Sequence, residues 1–260
     1  MNKVGTVESL WRYPVKSMAG HPLESVYAGY SGIYGDRVYA IHDAGAPTGF
    51  PWLTAREREH MLLFHPYFRD QLRAARPLNQ QEAEVSGATP LYAASTDLMV
   101  DVRTPDGATL PIDDPALLQL LGEGLRERRQ LRLLCSDRSL TDCSPVSLFS
   151  VQTAQSLGDE LSIPIDKRRF RANIYLDLHS GGFAEDQFVG RTLRVGNKVV
   201  LSVLKRDSRC KIITLDPDTA DANPEVMKQV ARAHERQVGV YAAVLVEGTI
   251  RPGDEVQLLD

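Results

Sequence analysis

The sequence predicts a mainly β protein with some helices, an α+β fold in which helices pack on a β-barrel. The first third is rich in short strand patterns separated by turns. The second half also contains short strands with few helices between them, which favours a barrel over a doubly wound parallel sheet. No internal repeat or low-complexity tract is visible.

The first third reads as strands and turns. Apolar and aromatic residues alternate roughly in VGTVESLWRYPV and RVYAIHD, with the glycine-containing turn YSGIYGD between them. The segment LYAASTDLMVDVRTPDGATLPI continues this pattern, with TPDG as a turn. Residues 65–90 are polar and rich in helix and strand breakers, so we predict a surface loop there.

Three helices are predicted. The first covers residues 113–129, where Asp114 and Pro115 form a start signal and leucines recur at helical spacing. It bridges two predicted domains, a β-rich N-terminal domain over 1–112, whose first strand could join the barrel, and a second domain over 113–260. The second helix follows Ser150 as its cap, and the third starts at Asn223 and Pro224.

The remaining strands are predicted from apolar runs and turn residues. The sequence LRLLC after the first helix reads as a buried strand. RTLRVGNKVVLSVLKR reads as a hairpin in which Gly196 and Asn197 make the tight turn. The chain closes with VYAAVLVEGTIRPGDEVQLL, short strands joined by a Pro-Gly-Asp turn.

Composition excludes several classes of protein. The chain has 260 residues, 43% hydrophobic and 25% charged, as in ordinary globular proteins. Its formal net charge of −4 argues against a nucleic-acid binder held by a broad basic surface. The N-terminus lacks an apolar core long enough for a signal peptide, and no stretch is long enough to span a bilayer. We therefore predict a cytoplasmic protein.

The three cysteines are Cys135, Cys143 and Cys210, without a C-x-x-C pair. This odd set predicts neither a disulfide framework nor a zinc knuckle. Cys210 stands out because it lies between Arg209 and Lys211 in KRDSRCKIITLDPDT.

From its residue type alone, Cys210 would be a small buried hydrophobe. Cations near the sulfur would instead favour a thiolate, which can act as a nucleophile or a ligand for a soft metal. A phosphatase-type loop is excluded, because Asp216 stands where that loop needs an arginine.

A basic run, KRRFR at residues 167–171, is a candidate anion site. Such a run is often only a solvated face. Here it borders a predicted strand, and we expect Arg171 and Asn173 to point to the same side of that strand. An arginine beside an amide suits an anion that carries a polar heterocycle.

Four further residues are candidates on weaker grounds. Lys16 and Ser17 follow a proline in YPVKS, on a loop at the end of an apolar strand. Arg37 lies in YGDRVYAI. Ser150, at a helix start, could present backbone N–H groups to an anion, although most N-cap residues only satisfy the N–H groups of their own helix.

In this order, YPVKS, GDRVYAI, FRANIYLD, FAEDQFVGRTLRVG, SRCKIITLDPDT and GTIRPGDEVQLL resemble the MOSC superfamily over essentially the whole chain. The resemblance is to proteins in which an N-terminal MOSC-associated β-barrel domain precedes a MOSC domain, with the site in the cleft between them. Amidoxime-reducing components belong to this group. One departure is Ala220, where relatives often have glycine.

The resemblance implies a molybdenum cofactor, a pterin dithiolene carrying molybdenum, with Cys210 as the protein ligand to the metal. It further implies residues that hold the pterin and its phosphate: Lys16, Ser17, Arg37, Ser150, Arg171, Asn173, Ser208 and Arg209. These types agree with the chemistry, because molybdenum accepts a soft thiolate and a phosphate is bound by cations and N–H donors.

The implied activity is the reduction of N-hydroxylated compounds with electrons from a separate flavoprotein, ferredoxin or haem protein. With Cys210 committed, too few cysteines remain for an iron–sulfur cluster, and no G-x-G-x-x-G turn follows a strand. Two alternatives stay open at this point. The chain could carry the cofactor or a persulfide without turnover, or it could be a binding module that has lost its cofactor.

Overall fold

The computed structural model describes residues 2–47, 49–85, 87–125 and 129–259. It has the predicted α+β class, with seven of its sixteen described strands in one closed barrel and smaller sheets beside it. No helix in these described ranges is both long and apolar enough to cross a membrane.

The elements of the first half are short. The strands are β1 (Asn2–Arg12), β2 (His21–Leu23), β3 (Val26–Gly29), β4 (Gly32–Ile33), β5 (Tyr39–Asp43), β6 (His65–Phe68), β7 (Val100–Arg103), β8 (Thr109–Pro111) and β9 (Leu131–Cys135). The helices are α1 (Gln71–Ala75), α2 (Gln80–Ala83) and α3 (Pro115–Gly122).

The second half contains longer strands and two longer helices. In chain order they are β10 (Val146–Ser150), α4 (Val151–Leu161), β11 (Ile174–Leu178), β12 (Thr192–Val195), β13 (Val199–Ser208), α5 (Pro224–Ala233), β14 (Gln237–Val246), β15 (Gly248–Ile250) and β16 (Glu255–Leu258). Single turns of 3₁₀-helix lie at Glu59–Leu63, Ser95–Asp97, Lys167–Phe170, Ala184–Phe188 and Lys211–Thr214.

The barrel has seven strands in the order β11, β10, β14, β13, β12, β16 and β1, and it closes because β1 also pairs with β11. The first strand of the chain therefore completes the barrel of the second half. Gly5 in β1 faces Leu178 in β11, where a side chain at position 5 would collide with the carbonyl oxygen of Asp177. The barrel interior is filled by aliphatic side chains such as Leu176, Leu193, Leu201 and Val240.

Strand β2 pairs with β1 beside the barrel, and the other eight strands form three small sheets, β15-β3-β4, β5-β9 and β6-β7-β8. A second apolar core lies under the β5-β9 and β6-β7-β8 sheets and includes Ile41, Phe68, Val102 and Leu117. The division into domains at 1–112 and 113–260 remains a prediction, and strand β1 belongs to the barrel on the other side of that boundary.

The predicted helix starts are confirmed. The carboxylate of Asp114 accepts from the backbone N–H of Ala116 at 2.8 Å, the hydroxyl of Ser150 accepts from Thr153 at 3.1 Å, and Asn223 accepts from Glu225 at 3.1 Å. Each cap satisfies an N–H group that has no partner within its helix. The first helix ends at Gly122, and residues 126–128 of the predicted stretch lie outside the described residues.

The predicted strands are confirmed in position, with one error in burial. β12 and β13 form the expected hairpin around Gly196, whose φ is 63°. LRLLC forms β9, but it is half-buried or exposed because it pairs with β5 alone.

The prediction of a surface loop over residues 65–90 is wrong. This segment contains β6, α1 and α2. Residues 65–68 alternate between exposed and buried along the strand, with Phe68 in the core, and Asp70 caps α1 by accepting from Arg73. Short elements of this kind are held by tertiary packing, which the abundance of breakers in the sequence conceals.

Candidate active site

A cavity lies where the loop after β1, the turn Lys167–Phe170 and the end of β13 meet. Seven of the nine predicted site residues line it, and they come from both halves of the chain: Lys16, Ser17, Arg37, Arg171, Ser208, Arg209 and Cys210. The long-range pairing of β1 with β11 brings the first loop to this place. The space is about 100 Å³ in volume.

Cys210 is a half-buried free thiol that follows β13 and precedes the turn Lys211–Thr214. Its neighbours in sequence contribute less than the sequence indicated. Arg206 forms ion pairs with Asp186 and Glu235, and Lys211 forms one with Glu59. Neither of these two cations lines the cavity.

Five cationic side chains line the cavity, and four of them already have a carboxylate partner. Lys16 is paired with Asp142 and Arg37 with Asp36, while Arg169 lies 2.9 Å from Asp216 and Arg209 lies 2.7 Å from Asp207. The fifth, Arg171, forms no ion pair with any residue in the described part of the chain.

Arg171 is held by a carbonyl and a ring instead. Its Nη2 donates to the carbonyl oxygen of Met18 at 2.7 Å, and its guanidinium lies 4.3 Å from the centre of the Tyr13 ring. Burial, together with the nearby positive charge of Arg37, lowers the pKa of Arg171 to about 10. Arg171 is half-buried, and a partly desolvated cation without an ion-pair partner would be stabilised by an anion in the cavity.

Arg209 is fixed by several contacts that leave one donor free. Its Nε donates to the carbonyl of Val238 at 2.7 Å and its Nη1 to that of Phe170 at 2.9 Å. Its Nη2 is buried and has no hydrogen-bond partner among the residues described. Gly239 makes room for this group, because a Cβ at that position would lie 2.9 Å from Nη2.

Three cavity residues have left-handed backbone although none is glycine. The φ angles are 67° at Ser17, 47° at Arg37 and 53° at Arg171. Each such residue costs about 1 kcal/mol relative to glycine in the same conformation. Strain of this kind persists where the surrounding structure enforces it, and it is concentrated at functional sites.

Lys16 is almost fully buried. Its Nζ donates to the carbonyl oxygen of Leu140 at 2.8 Å and is paired with Asp142, which also lies 3.1 Å from Arg56. Burial lowers the pKa of Lys16. The segment that carries Leu140 and Asp142 thus forms one edge of the cavity.

Ser150 does not line the cavity. Its backbone N–H and its hydroxyl both donate to the fully buried carboxylate of Glu185, at 3.1 and 2.9 Å, and the hydroxyl of Thr153 donates to the same group at 2.9 Å. The N-terminus of α4 therefore already binds an anion that belongs to the chain itself.

Asn173 does not line the cavity either. Its Oδ1 accepts from the hydroxyl of Ser147 at 3.0 Å, and its Nδ2 donates to the carbonyl of Trp11 at 3.3 Å. The expectation that Arg171 and Asn173 share one side of a strand is wrong, because β11 begins only at Ile174 and Arg171 has left-handed backbone. Asn173 ties β1 to the segment that carries Arg171.

Several lining residues were missed by sequence reasoning. Arg169 belongs to the same basic run as Arg171, two positions earlier, and Asp207 lies two positions before Arg209. Asp207 is buried beside the hydroxyl of Tyr241, and burial raises its pKa. Spacing could have found Arg169 and Asp207, but nothing in the sequence around Tyr241 marks it.

The fold and the site define a class: an α+β barrel protein whose cavity combines one thiol with several cations. Comparisons with known proteins agree. The family model for the MOSC N-terminal beta barrel domain matches residues 4–110, and that for the MOSC domain matches residues 136–257. The chain therefore belongs to the proteins in which a MOSC N-terminal domain precedes a MOSC domain, and the predicted resemblance is confirmed.

Individual relatives are distant. The chain is 24% identical to mitochondrial amidoxime-reducing component 1 of Mus musculus, with all of this chain and 84% of that protein aligned. The solved structure of the YuaD protein from Bacillus subtilis is 12% identical, covers 97% of this chain and 94% of its own, and gives a TM-score of 0.45. YiiM from Geobacillus stearothermophilus is 19% identical, with coverages of 45% and 55% and a TM-score of 0.36.

Proposed function

We propose that this protein binds a molybdenum cofactor and reduces N-hydroxylated compounds with electrons from a separate donor protein. The observation that carries the proposal is the half-buried guanidinium of Arg171, which has no ion pair within the described residues and lies in the same cavity as the thiol of Cys210. The name of the mouse relative adds the substrate class, since an amidoxime is an N-hydroxylated compound.

The residues present fit such a cofactor. A thiol is a suitable ligand for a soft metal, and the unpaired guanidinium of Arg171 is a suitable donor for a phosphate. We propose that Cys210 holds the molybdenum and that the pterin and its phosphate are held by Lys16, Ser17, Arg37, Arg171, Ser208 and Arg209. Ser150 and Asn173 would hold neighbouring segments of the site in place and not contact the cofactor, because their side chains are hydrogen-bonded to Glu185 and Ser147.

When bound, the cofactor supplies a two-electron reduction. The N–O bond of the substrate breaks, two electrons and two protons are consumed, and the oxygen leaves as water. The chain itself contributes binding and orientation: its arginines fix the anionic end of the cofactor, and its cavity wall limits access by water.

The electrons must come from outside the described site. We propose a flavoprotein, a ferredoxin or a haem protein as donor, since no nicotinamide-binding motif was found in the sequence. We also propose a cytoplasmic location, with which the exposed free thiols of Cys135 and Cys143 agree.

The proposal is tested by measuring molybdenum and released pterin in protein expressed in a cofactor-competent host, and by assaying benzamidoxime reduction with each donor in turn. We expect near-stoichiometric molybdenum, no reduction with NADH alone, and reduction with a reduced artificial donor. Efficient turnover with NADH and no second protein would contradict the external donor. Bound cofactor that passes to an apo-enzyme without any turnover would identify a carrier instead.

A further inference from the structure

The ring of Tyr13 lies against the one cavity cation that has no ion pair with the described residues. The guanidinium carbon of Arg171 is 4.3 Å from the centre of this ring, and that of Arg37 is 4.6 Å from it. An aromatic face attracts a cation within about 6 Å of its centre. Tyr13 is only 2% exposed, so water competes little for this attraction. One buried ring therefore holds both arginines.

The ring attracts these cations without cancelling their charge. Burial raises the pKa of the Tyr13 phenol, so the group is uncharged near pH 7. The other four cations of the described cavity are paired with carboxylates, which neutralise them. Arg171 has a ring and a carbonyl oxygen as its partners, and both are neutral. The positive charge of Arg171 therefore remains uncompensated.

Two nitrogen atoms of Arg171 remain available to a ligand. Its Nη2 donates to the carbonyl oxygen of Met18, whereas its Nε and Nη1 make no hydrogen bond with the described residues. Neither of these two atoms is enclosed, in contrast to the Nε of Arg169 and the Nη2 of Arg209. Arg171 also lines the cavity that contains Cys210. An anion can therefore accept hydrogen bonds from Arg171.

The backbone of Tyr13 fixes the second arginine. Its carbonyl oxygen accepts from the backbone N–H of Arg37 at 2.7 Å, and its N–H donates to the carboxylate of Asp36 at 2.8 Å. The same carboxylate is paired with the guanidinium of Arg37. Arg37 in turn donates from Nη2 to the carbonyl oxygen of Arg171 at 3.0 Å. Tyr13, Arg37 and Arg171 thus form one connected unit from two distant parts of the chain.

Glycine at position 20 leaves room for the ring. A Cβ atom there would lie 2.3 Å from a ring carbon of Tyr13, so a side chain at this position would displace the ring. The Tyr13 hydroxyl makes one long hydrogen bond, 3.3 Å to the carbonyl oxygen of Ala172. The ring and its position therefore matter more to the arginines than the hydroxyl does.

We propose that Tyr13 is a positioning residue for anion binding, because its ring holds Arg171 and Arg37 in place for the phosphate of the cofactor and leaves the charge of Arg171 uncompensated. The choice of phosphate as ligand rests on the proposed function. The order of the two arginines and their affinity for an anion can nevertheless be measured without cofactor or turnover.

The test uses the whole 260-residue chain produced without cofactor. It is titrated with inorganic phosphate by calorimetry, and the mobility of the arginine Nε–H groups is followed by NMR relaxation. Tyr13→Leu removes the ring and should weaken phosphate binding about tenfold and make Arg171 more mobile. Tyr13→Phe keeps the ring and should bind phosphate within about twofold of the wild type.

A matched control separates positioning from a loss of stability. Tyr27 is 1% exposed, and its ring packs against Tyr92 rather than against a cation. Tyr27→Leu should therefore lower the free energy of unfolding while phosphate affinity and arginine mobility stay as in the wild type. A fall in phosphate affinity in Tyr27→Leu as large as that in Tyr13→Leu would show that stability alone accounts for the effect, and the inference would fail.

A second variant displaces the ring without altering Tyr13. Gly20→Ala forces the ring to move and should weaken phosphate binding as Tyr13→Leu does. Gly181→Ala is its control, because nothing lies within 4 Å of a Cβ atom added at that exposed glycine. Equal phosphate binding by the wild type, Tyr13→Leu and Gly20→Ala, or no binding by the wild type, would overturn the inference.

Cofactor content separates this inference from the proposed function. If the wild type from a cofactor-competent host contains molybdenum and Tyr13→Leu retains it equally well, the positioning role fails and the proposed function stands. If the wild type contains no molybdenum, yet phosphate affinity and arginine order still depend on Tyr13, the proposed function fails and the positioning role stands.

Discussion

Arg37 donates from Nη2 to the backbone carbonyl oxygen of Arg171 at 3.0 Å, and the two guanidinium groups lie on the ring of Tyr13, at 4.6 and 4.3 Å from its centre. The attraction of cations to an aromatic face holds both groups in place. Gly20 allows this arrangement, because a side chain there would collide with the Tyr13 ring. The cations are thus ordered before any anion binds, which lowers the cost of binding one.

Replacing Cys210 by alanine should abolish turnover and remove molybdenum. The thiol is the one cysteine that lines the cavity within the described residues, and a methyl group is no metal ligand. Metal analysis and pterin fluorescence of the purified variant measure the effect. Cys135→Ala and Cys143→Ala, at exposed positions, should leave both readouts nearly unchanged. Full activity in Cys210→Ala would refute the ligand assignment.

Replacing Arg171 or Arg209 by glutamine should have different effects. Arg171→Gln should reduce cofactor retention more than tenfold, yet leave the apoprotein about as stable, because it removes a half-buried charge that has no ion-pair partner among the described residues. Arg209→Gln should lower apoprotein stability by about 3 kcal/mol, because it leaves the carboxylate of Asp207 buried and unpaired.

Chemical unfolding of the two apoproteins distinguishes these outcomes. A large loss of stability in Arg171→Gln, together with normal cofactor content, would show that Arg171 serves the fold rather than the cofactor.

Two serines with left-handed backbone provide a matched pair. Ser17, with φ of 67°, lines the cavity, while Ser162, with φ of 56°, is exposed at the end of α4. Replacing either by glycine should raise the apoprotein's free energy of unfolding by about 0.5–1 kcal/mol, since glycine adopts this conformation without a steric penalty.

Only Ser17→Gly should also lower cofactor retention, because it removes a hydroxyl from the site. Thermal unfolding and pterin release measure the two effects. A gain of stability in Ser162→Gly alone would show that other contacts of Ser17 outweigh its backbone strain.

Stability should fall as the pH drops from about 6.5 to about 4. His21 has a folded-state pKa of about 4 against an ordinary value of 6.5, through burial and the charge of Arg12. Between these values the unfolded chain binds the proton and the folded one does not, so acid favours unfolding, by about 1.4 kcal/mol per pH unit at most.

The variant His21→Gln keeps a side chain that can accept a hydrogen bond from Arg12 and should show a smaller loss over this range. Urea unfolding at several pH values compares the two proteins. Equal slopes would mean that other groups account for the acid sensitivity.

The sequence by itself determined the local features of this protein. Asp114, Ser150 and Asn223 cap their helices through hydrogen bonds that reach only two or three residues along the chain, and Gly196 makes its hairpin turn within four residues. Such contacts depend on neighbouring residue types, so the pattern of the sequence is enough to predict them. The motif around Cys210 likewise identified the family.

The tertiary structure decided which of these residues meet. Pairing of β1 with β11 brings Lys16 and Ser17 into the same cavity as Cys210. The backbone N–H and the hydroxyl of Ser150, which were predicted to bind the cofactor, instead donate to the carboxylate of Glu185. It also left Arg171 without a carboxylate while every other cation of the described cavity has one. Partners far apart in sequence are chosen by packing and by the need to satisfy buried charge, and neither is visible in any local stretch of residues.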